Sequence, residues 1–317
     1  MLKKVGVWCA VGVWVCAMLG ARVQSAVLYE THFESNEGFN IDFDLAGQGN
    51  WTIEGNGGNG LVDEFFEGFG QQAYIGLTRP TQGSATSLWR PVNFTPVPAG
   101  SSIVHFSVKM QVVPSEQGGD DDFRWSVYNR DGTRLFGISF ETSSQEIWFQ
   151  NQDLTFRSTG WSFDFEGVYD LHIWMDFARN SWTARLNDVV LANAQPITTV
   201  TGTAQNLGDI DAVWFVNNLN SPGDNYMLFD DYRIATENLR SIPPILETLG
   251  MSAEGYFQFY VFGQPNVPYD IEVTEDFVNW FPVSDDPYVD SDGNFTFEDN
   301  FAPLYTKGFY RMVERVP

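Results

Sequence analysis

The stretch SIVHFSVKMQVV alternates without a break: Val104, Phe106, Val108, Met110 and Val112 fall on one side, and His105, Ser107, Lys109 and Gln111 on the other. A period of two marks a strand with one buried face. DFRWSVYNRDGTRLFGISF then predicts two strands about a tight turn at Asp131-Gly132, a strong hairpin signal. EIWFQN, YDLHIWMDF, SWTARLNDVVL and DAVWFVNN follow, separated by polar or glycine-bearing turns. No segment carries a helical apolar period over 11 or more residues. Many short strands with turns between them predict a sandwich or a barrel.

One strand strains this pattern. NYMLFDDYRIATENL places Asp230 and Asp231 side by side in its middle. One of two strand neighbours is expected to face inward, and an inward carboxylate is costly unless something pairs with it. Either a cation holds it, or one aspartate lies on an exposed edge while the other pairs with Arg233 or another arginine.

The strand pattern breaks at ATENLRSIPPILETL, with its prolyl pair Pro243-Pro244. A linker is expected over 238–246, between a large β domain at 26–237 and a small one at 247–317; both sizes suit a domain. The first 25 residues carry a basic start (Lys3, Lys4), an apolar run from Val5 to Leu19, and small residues up to Ser25. That is the layout of a secretory signal peptide, and the run is too short for the ~20 residues of a spanning helix. Export, with no membrane insertion of the mature chain, is therefore expected. Both cysteines, Cys9 and Cys16, leave with that segment. So do Lys3, Lys4 and Arg22, leaving 14 of the 17 basic residues against 41 acidic ones and deepening the formal charge from −24 to −27. Such a surface repels nucleic acid and attracts cations.

YETHFES near the start, VYDLHIWMDFARNSWTARLNDVVL in the middle and MLFDDYRI at the end resemble, in that order, a concanavalin A-like jelly roll. That superfamily includes laminin G-like modules, legume lectins and family-16 glycoside hydrolases. The resemblance implies an all-β sandwich whose first and last strands are neighbours, often with a calcium ion where they meet. Asp231 matches the terminal-strand ligand position, with Asp230 and Glu34 as helpers. Residues 255–312 are similar to a small sandwich module at the ends of secreted bacterial proteins. The match rests on Tyr269 to Glu272, Asp276 to Trp280, Gly293 to Asp299 and Phe309 to Arg311. There Tyr269, Ile271, Trp280, Phe297 and Phe309 are expected in the core, and Arg311 is expected to pair with Asp299.

Catalytic motifs are scarce. The E-x-D-x-E strand of family-16 hydrolases is absent; Asp164 and Glu166 in WSFDFEG, read as one strand face, come nearest, and Glu141 and Glu146 fall on separate strands. The three histidines (His32, His105, His172) have no zinc-binding spacing, and no nucleophile elbow or phosphate loop occurs. GGDDDF at 118–123 reads as a solvated loop. The polar strand faces instead gather His105, Lys109, Arg124, Tyr128, Glu141, Trp148, Gln150, His172, Trp174 and Asp176. Flat aromatics beside hydrogen-bonding groups suit a sugar, whose C–H face stacks on a ring while its hydroxyls find polar partners. The expected function is non-catalytic binding of an extracellular polysaccharide or cell-surface glycan. The alternatives are a polysaccharide-active hydrolase or lyase, and a structural module without a small ligand.

Overall fold

The structure, a computed structural model, describes residues 26–315 apart from 82, 97–102, 117–118, 120, 188, 238–243, 254, 264–266, 285–286, 289, 291–292 and 305–306. The expected signal peptide and most of the expected linker lie outside the described residues. In chain order the first strands are β1 (Val27–Thr31), β2 (Thr52–Glu54), β3 (Asn59–Asp63), β4 (Gln71–Gly76), β5 (Ala85–Trp89), β6 (Ile103–Val113), β7 (Asp122–Tyr128) and β8 (Arg134–Glu141). There follow β9 (Glu146–Asn151), β10 (Phe156–Ser162), β11 (Tyr169–Asp176), β12 (Ser181–Leu186), β13 (Val189–Pro196), β14 (Asp209–Phe215) and β15 (Tyr226–Glu237).

These strands form two antiparallel sheets packed face to face. One has the order β13-β12-β11-β6-β15-β4-β3, with β1 also paired to β15; the other has the order β10-β9-β8-β7-β14-β5-β2. The alternation read from the sequence holds: Val104, Phe106, Val108, Met110 and Val112 on β6, Phe123, Trp125 and Val127 on β7, and Ile210, Ala212 and Trp214 on β14 all enter one core. The chain is all-β, as expected, and its two-layer arrangement is that of a jelly-roll sandwich.

The paired aspartates break the expected rule. On β15 the core residues are Met227 and Phe229 before the pair, and Tyr232 and Ile234 after it. Asp230 pairs with Lys109 and Arg233 with Ser107, so three steps on β15 match two on β6. One residue is extra, a β-bulge, and Asp231 supplies it with a left-handed φ of 50°, a conformation aspartate tolerates better than most residues. Neither carboxylate points into the core. Nor does either pair with Arg233, whose partner is Glu30 at 3.5 Å.

Four further expectations change. Strand β16 (Ile245–Met251) begins inside the expected linker, so the linker ends before Ile245. Asp121 is no solvated loop residue: it is buried, and its carboxylate accepts the backbone N–H groups of Asn217 (2.9 Å) and Gly223 (2.8 Å). Past β16 come β17 (Phe257–Phe262), β18 (Tyr269–Thr274), β19 (Phe281–Pro282), β20 (Asn294–Asp299) and β21 (Phe309–Glu314), in sheets β16-β17-β20 and β19-β18-β21. They surround a separate cluster of Phe259, Val261, Ile271 and Phe297. Tyr269 is buried as expected, but Phe309 is exposed. Arg311 stacks over Trp280 and pairs with Glu272 at 2.6 Å, while Asp299 accepts the Tyr310 hydroxyl.

Tyr232 ties the layers together. Fully buried on β15, it crosses the sandwich and donates its hydroxyl to the Ile210 carbonyl of β14 at 3.0 Å. Removing the hydroxyl alone (Tyr232→Phe) is expected to cost about 1 kcal/mol, and removing the ring (Tyr232→Ala) about 3–5 kcal/mol. Urea denaturation checks both; no loss in Tyr232→Phe would mean that the bond across the sandwich contributes nothing.

Candidate functional site

Because core and outward residues alternate on every strand, the residues predicted to bind sugar divide between the two outer faces. His105, Lys109, His172 and Trp174 lie on the eight-stranded sheet; Arg124, Tyr128, Glu141, Trp148 and Gln150 lie on the seven-stranded one. The core separates the groups, so no single groove holds them all.

On the eight-stranded sheet the groups bind each other. Glu237 accepts from His105 Nδ1 (2.7 Å), and His105 Nε2 is 3.0 Å from His172 Nδ1. The His105 ring stacks on Trp174 at 4.6 Å and 6°. Trp174 is only 6% exposed, which corrects its expected role as an open platform for a sugar. Burial and then the neighbouring His105 lower the basicity of His172. Lys109 pairs with Asp170 at 2.6 Å. Asp176 is also corrected: it holds the turn after β11, accepting the N–H groups of Ala178 (3.0 Å) and Arg179 (3.1 Å) and pairing with the Arg179 guanidinium. Asp164 and Glu166 sit in a turn after β10, not on a strand, and line a cleft of about 760 Å³ with Gln111.

The outward face of the seven-stranded sheet is different. Register places Trp148, Ser139, Arg124 and Val213 in one row across β9, β8, β7 and β14. Gln150, Gly137, Ser126 and Asp211 form the next row, and Tyr128 lies between Arg134 and Asp209. Ser126, Gly137 and Ser139 are small and buried, and the Arg124 side chain lies over Gly137 beside the row that holds the half-buried Trp148. Arg124 Nε donates to Ser126 Oγ (2.8 Å), and Arg134 Nη2 to Gln150 Oε1 (2.5 Å). Glu141 and Glu146 face each other at one end, and Trp148 Nε1 donates to Glu146 (3.2 Å).

Asp209 and Asp211 were missed in the sequence, although D-I-D before AVWF alternates in plain view. Burial first, and then Asp209, pushes the Asp211 carboxyl far above the carboxylate range; burial raises Asp209 as well. The Asp209 side chain adds to that rise, so Asp211 favours its protonated form.

A third cluster lies where β1 and β4 meet along β15. Strand β4 pairs with Tyr226–Phe229, and β1 with Tyr232–Ala235. In the gap, His32, Asp230 and Asp231 bring one ligand atom each within 4.8 Å of the others. His32 Nδ1 donates to Asp231 Oδ1 (2.6 Å), and that bond raises the imidazole's basicity. Asp230 is 1% exposed, and burial raises its carboxyl to about 7. Its Oδ2 has no hydrogen-bond partner, and neither does the buried Gln71 Oε1. Glu34, expected beside the aspartates, accepts the Gln71 N–H (3.2 Å) and caps the short helix Ser35–Glu37. An orphaned buried carboxylate oxygen fits a hard cation. The imidazole is a nitrogen donor and suits calcium poorly, so His32 fits as the partner of Asp231.

Comparison of the sequence with protein-family models and with curated proteins gives no match. Among solved structures, one sialidase shares 9% identity over 66% of this chain, with a TM-score of 0.46; this chain spans 18% of its length. A cellulose induced protein, Cip1, shares 13% identity over 65% of this chain and 96% of its own, with a TM-score of 0.41. Carbohydrate-binding module CBM66 from Bacillus subtilis shares 11% identity over 61% of this chain and 99% of its own, with a TM-score of 0.36. Likeness at this level says nothing of ligand or chemistry, which rest on the residues themselves.

Asp211 generates a pH dependence. A carboxyl raised in the folded state binds its proton more tightly there than when unfolded. Stability is therefore undiminished below the unfolded value of about 4 and declines as pH rises above it. Asp211→Asn, a permanent mimic of the protonated acid, is expected to raise the melting temperature at pH 8 and to flatten its fall between pH 5 and 8. Parallel profiles for the variant and the wild type would contradict this.

Proposed function

We propose that this is an exported, non-catalytic glycan-binding protein whose ligand lies on the outward face of the seven-stranded sheet. The observation that carries the reading is the outward half-buried indole of Trp148 on the same sheet face as the guanidiniums of Arg124 and Arg134. A pyranose ring can rest its C–H face on the indole while its hydroxyls reach the donors. The histidine and Trp174 cluster on the opposite sheet is already occupied with its own contacts and is not part of this site.

A glycan array probed with the purified protein tests the reading. Trp148→Ala is expected to abolish binding of any hit while leaving the melting temperature within a few degrees, since the ring stands on the outer face. A large loss of stability would make Trp148 a packing residue, and an array without hits would remove the reading altogether. A second reading, a polysaccharide-active hydrolase or lyase, is favoured by Glu141 facing Glu146, with burial, Asp122 and Glu146 all raising the Glu141 carboxyl. Product release from a bound polymer, lost in Glu141→Gln, would establish it in place of simple binding.

We also propose that Asp230 and Asp231 hold a calcium ion that ties β1 and β4 to β15. The orphaned Asp230 oxygen supports this reading. Extracellular calcium sites bind with dissociation constants of ~0.1–1 mM. At about 100 times that constant, binding adds about 2.7 kcal/mol to stability. For a domain of this size that corresponds to a rise of roughly 5–10 °C in the melting midpoint. Asp230→Asn and Asp231→Asn are expected to remove most of the rise, and His32→Ala little of it. Equal midpoints in calcium and in chelator at constant ionic strength would sink the site; a response to zinc alone would replace calcium.

A further inference from the structure

We propose that the glycan taken by the seven-stranded sheet is acidic, with a carboxylate or sulfate group seated between Arg124 and Arg134. The proposal rests on the reading of that face as a glycan site and adds the chemical class of its ligand.

Two guanidiniums on this face form no ion pair among the described residues. Arg124 is 9% exposed although it points away from the core. Its side chain lies across Gly137, where an added Cβ would come within 2.9 Å of the arginine Cδ. Its guanidinium carbon stands 4.2 Å above the Phe215 ring, and its Nε is bound to Ser126. Arg134 is half-buried and bound to Gln150. Among the described residues Arg90 and Arg130 form no salt bridge either, but Arg130 is exposed and Arg90 donates to the Gly49 carbonyl; Arg124 stands apart in being buried. Taking a charge out of water without a partner is costly, and here two are placed near enough to disfavour each other. Arg124 is lowered to about 10, by burial first and by Arg134 next.

The acids on this face do not fill the gap. Asp211 lies near enough to attract Arg124 but forms no ion pair with it among the described residues, and burial and Asp209 favour its neutral form. Asp209 lies across Tyr128 from Arg134 and pairs with neither arginine. Asp122 is bound by Thr142 and Asn217, and Glu141 and Glu146 lie beyond Ser139 and Trp148 at the end of the face. Their charges repel an anion placed over them, which leaves the arginine pair as the place where one is admitted. Exclusion and attraction then fix the same register. A planar guanidinium matches the two oxygens of a carboxylate or sulfate, which neutral hydroxyls cannot neutralise.

The test uses the full protein against polygalacturonate and alginate as uronates, chondroitin sulfate and carrageenan as sulfated polymers, and laminarin and xylan as neutral ones. Affinity is measured by calorimetry. At least one acidic class is expected to bind about tenfold or more tightly than the neutral polymers, and which class does so identifies the anionic group. That advantage should shrink when salt rises from about 0.05 to about 0.5 M. Arg134→Gln should lose about tenfold for the acidic polymer, and Arg134→Lys, which keeps the charge without the fork, should lose less. Arg124→Gln should behave like Arg134→Gln; because Arg124 is the more buried, Arg134 gives the result independent of folding. Neutral polymers bound as tightly as acidic ones, with binding lost in Trp148→Ala but kept in Arg134→Gln, would overturn the acidic ligand and leave the glycan site standing. Binding to none of the six would overturn both.

Discussion

The sandwich depends on a single extra residue in β15. This strand lies inside the eight-stranded sheet and serves three neighbours: β6 along one side, and β4 and then β1 along the other. A strand of uniform alternation would bury either Met227 and Phe229 or Tyr232 and Ile234, because one step of register exchanges the faces. Burying each such side chain is worth roughly 1.5–3 kcal/mol, while one residue in the left-handed region costs roughly 1–2 kcal/mol. The comparison favours the bulge by a wide margin, and Asp231 takes the strained position. The bulge also marks where β4 gives way to β1, so the discontinuity that keeps four residues in the core opens the junction holding Asp230, Asp231 and His32.

A second constraint shapes the opposite layer. Gly137 cannot be given a Cβ without meeting the Arg124 side chain and, at 3.1 Å, the Trp125 carbonyl. Small residues on β7 and β8 therefore let a long side chain lie flat along the sheet instead of standing in solvent. The result is a polar face sunk below its surroundings, in which Ser126 and Asp211 are buried although they point away from the core. The same sinking raises the Asp211 carboxyl and lowers Arg124, so geometry and electrostatics share one cause.

Much of this architecture was legible in the chain. The Asp131-Gly132 hairpin, the alternation of β6 and the run of short strands predict a two-layer all-β fold, because period and turn chemistry are local properties. The bulge was not legible: an extra residue leaves no local mark, and D-D read as a strained strand pair. Nor did alternation say which sheet a polar face belongs to. Each strand defines its faces only relative to itself, so Trp148 and Trp174 looked equivalent while lying on opposite sides of the core. Asp209 and Asp211 were visible as an alternating pair, but their significance comes from burial, which D-I-D does not encode. Glu34 was expected as a helper beside the aspartates; its carboxylate accepts the Gln71 backbone N–H, a partner 37 residues away.

The two outer faces also differ in how fully they satisfy themselves. On the eight-stranded sheet, Lys109 has Asp170, His105 has Glu237 and His172, and Trp174 has rings stacked on it. The charges of this patch are answered within the fold, while Asp230 Oδ2 farther along β15 is not. On the seven-stranded sheet the desolvation is comparable, yet Arg124 and Arg134 have only neutral hydrogen-bond acceptors. Apolar residues of similar volume would serve a purely structural face at lower cost. A strongly acidic fold that desolvates two guanidiniums without giving either an ion pair among the described residues is holding them for something outside itself, and the indole of Trp148 on the same face offers that partner a surface to rest on.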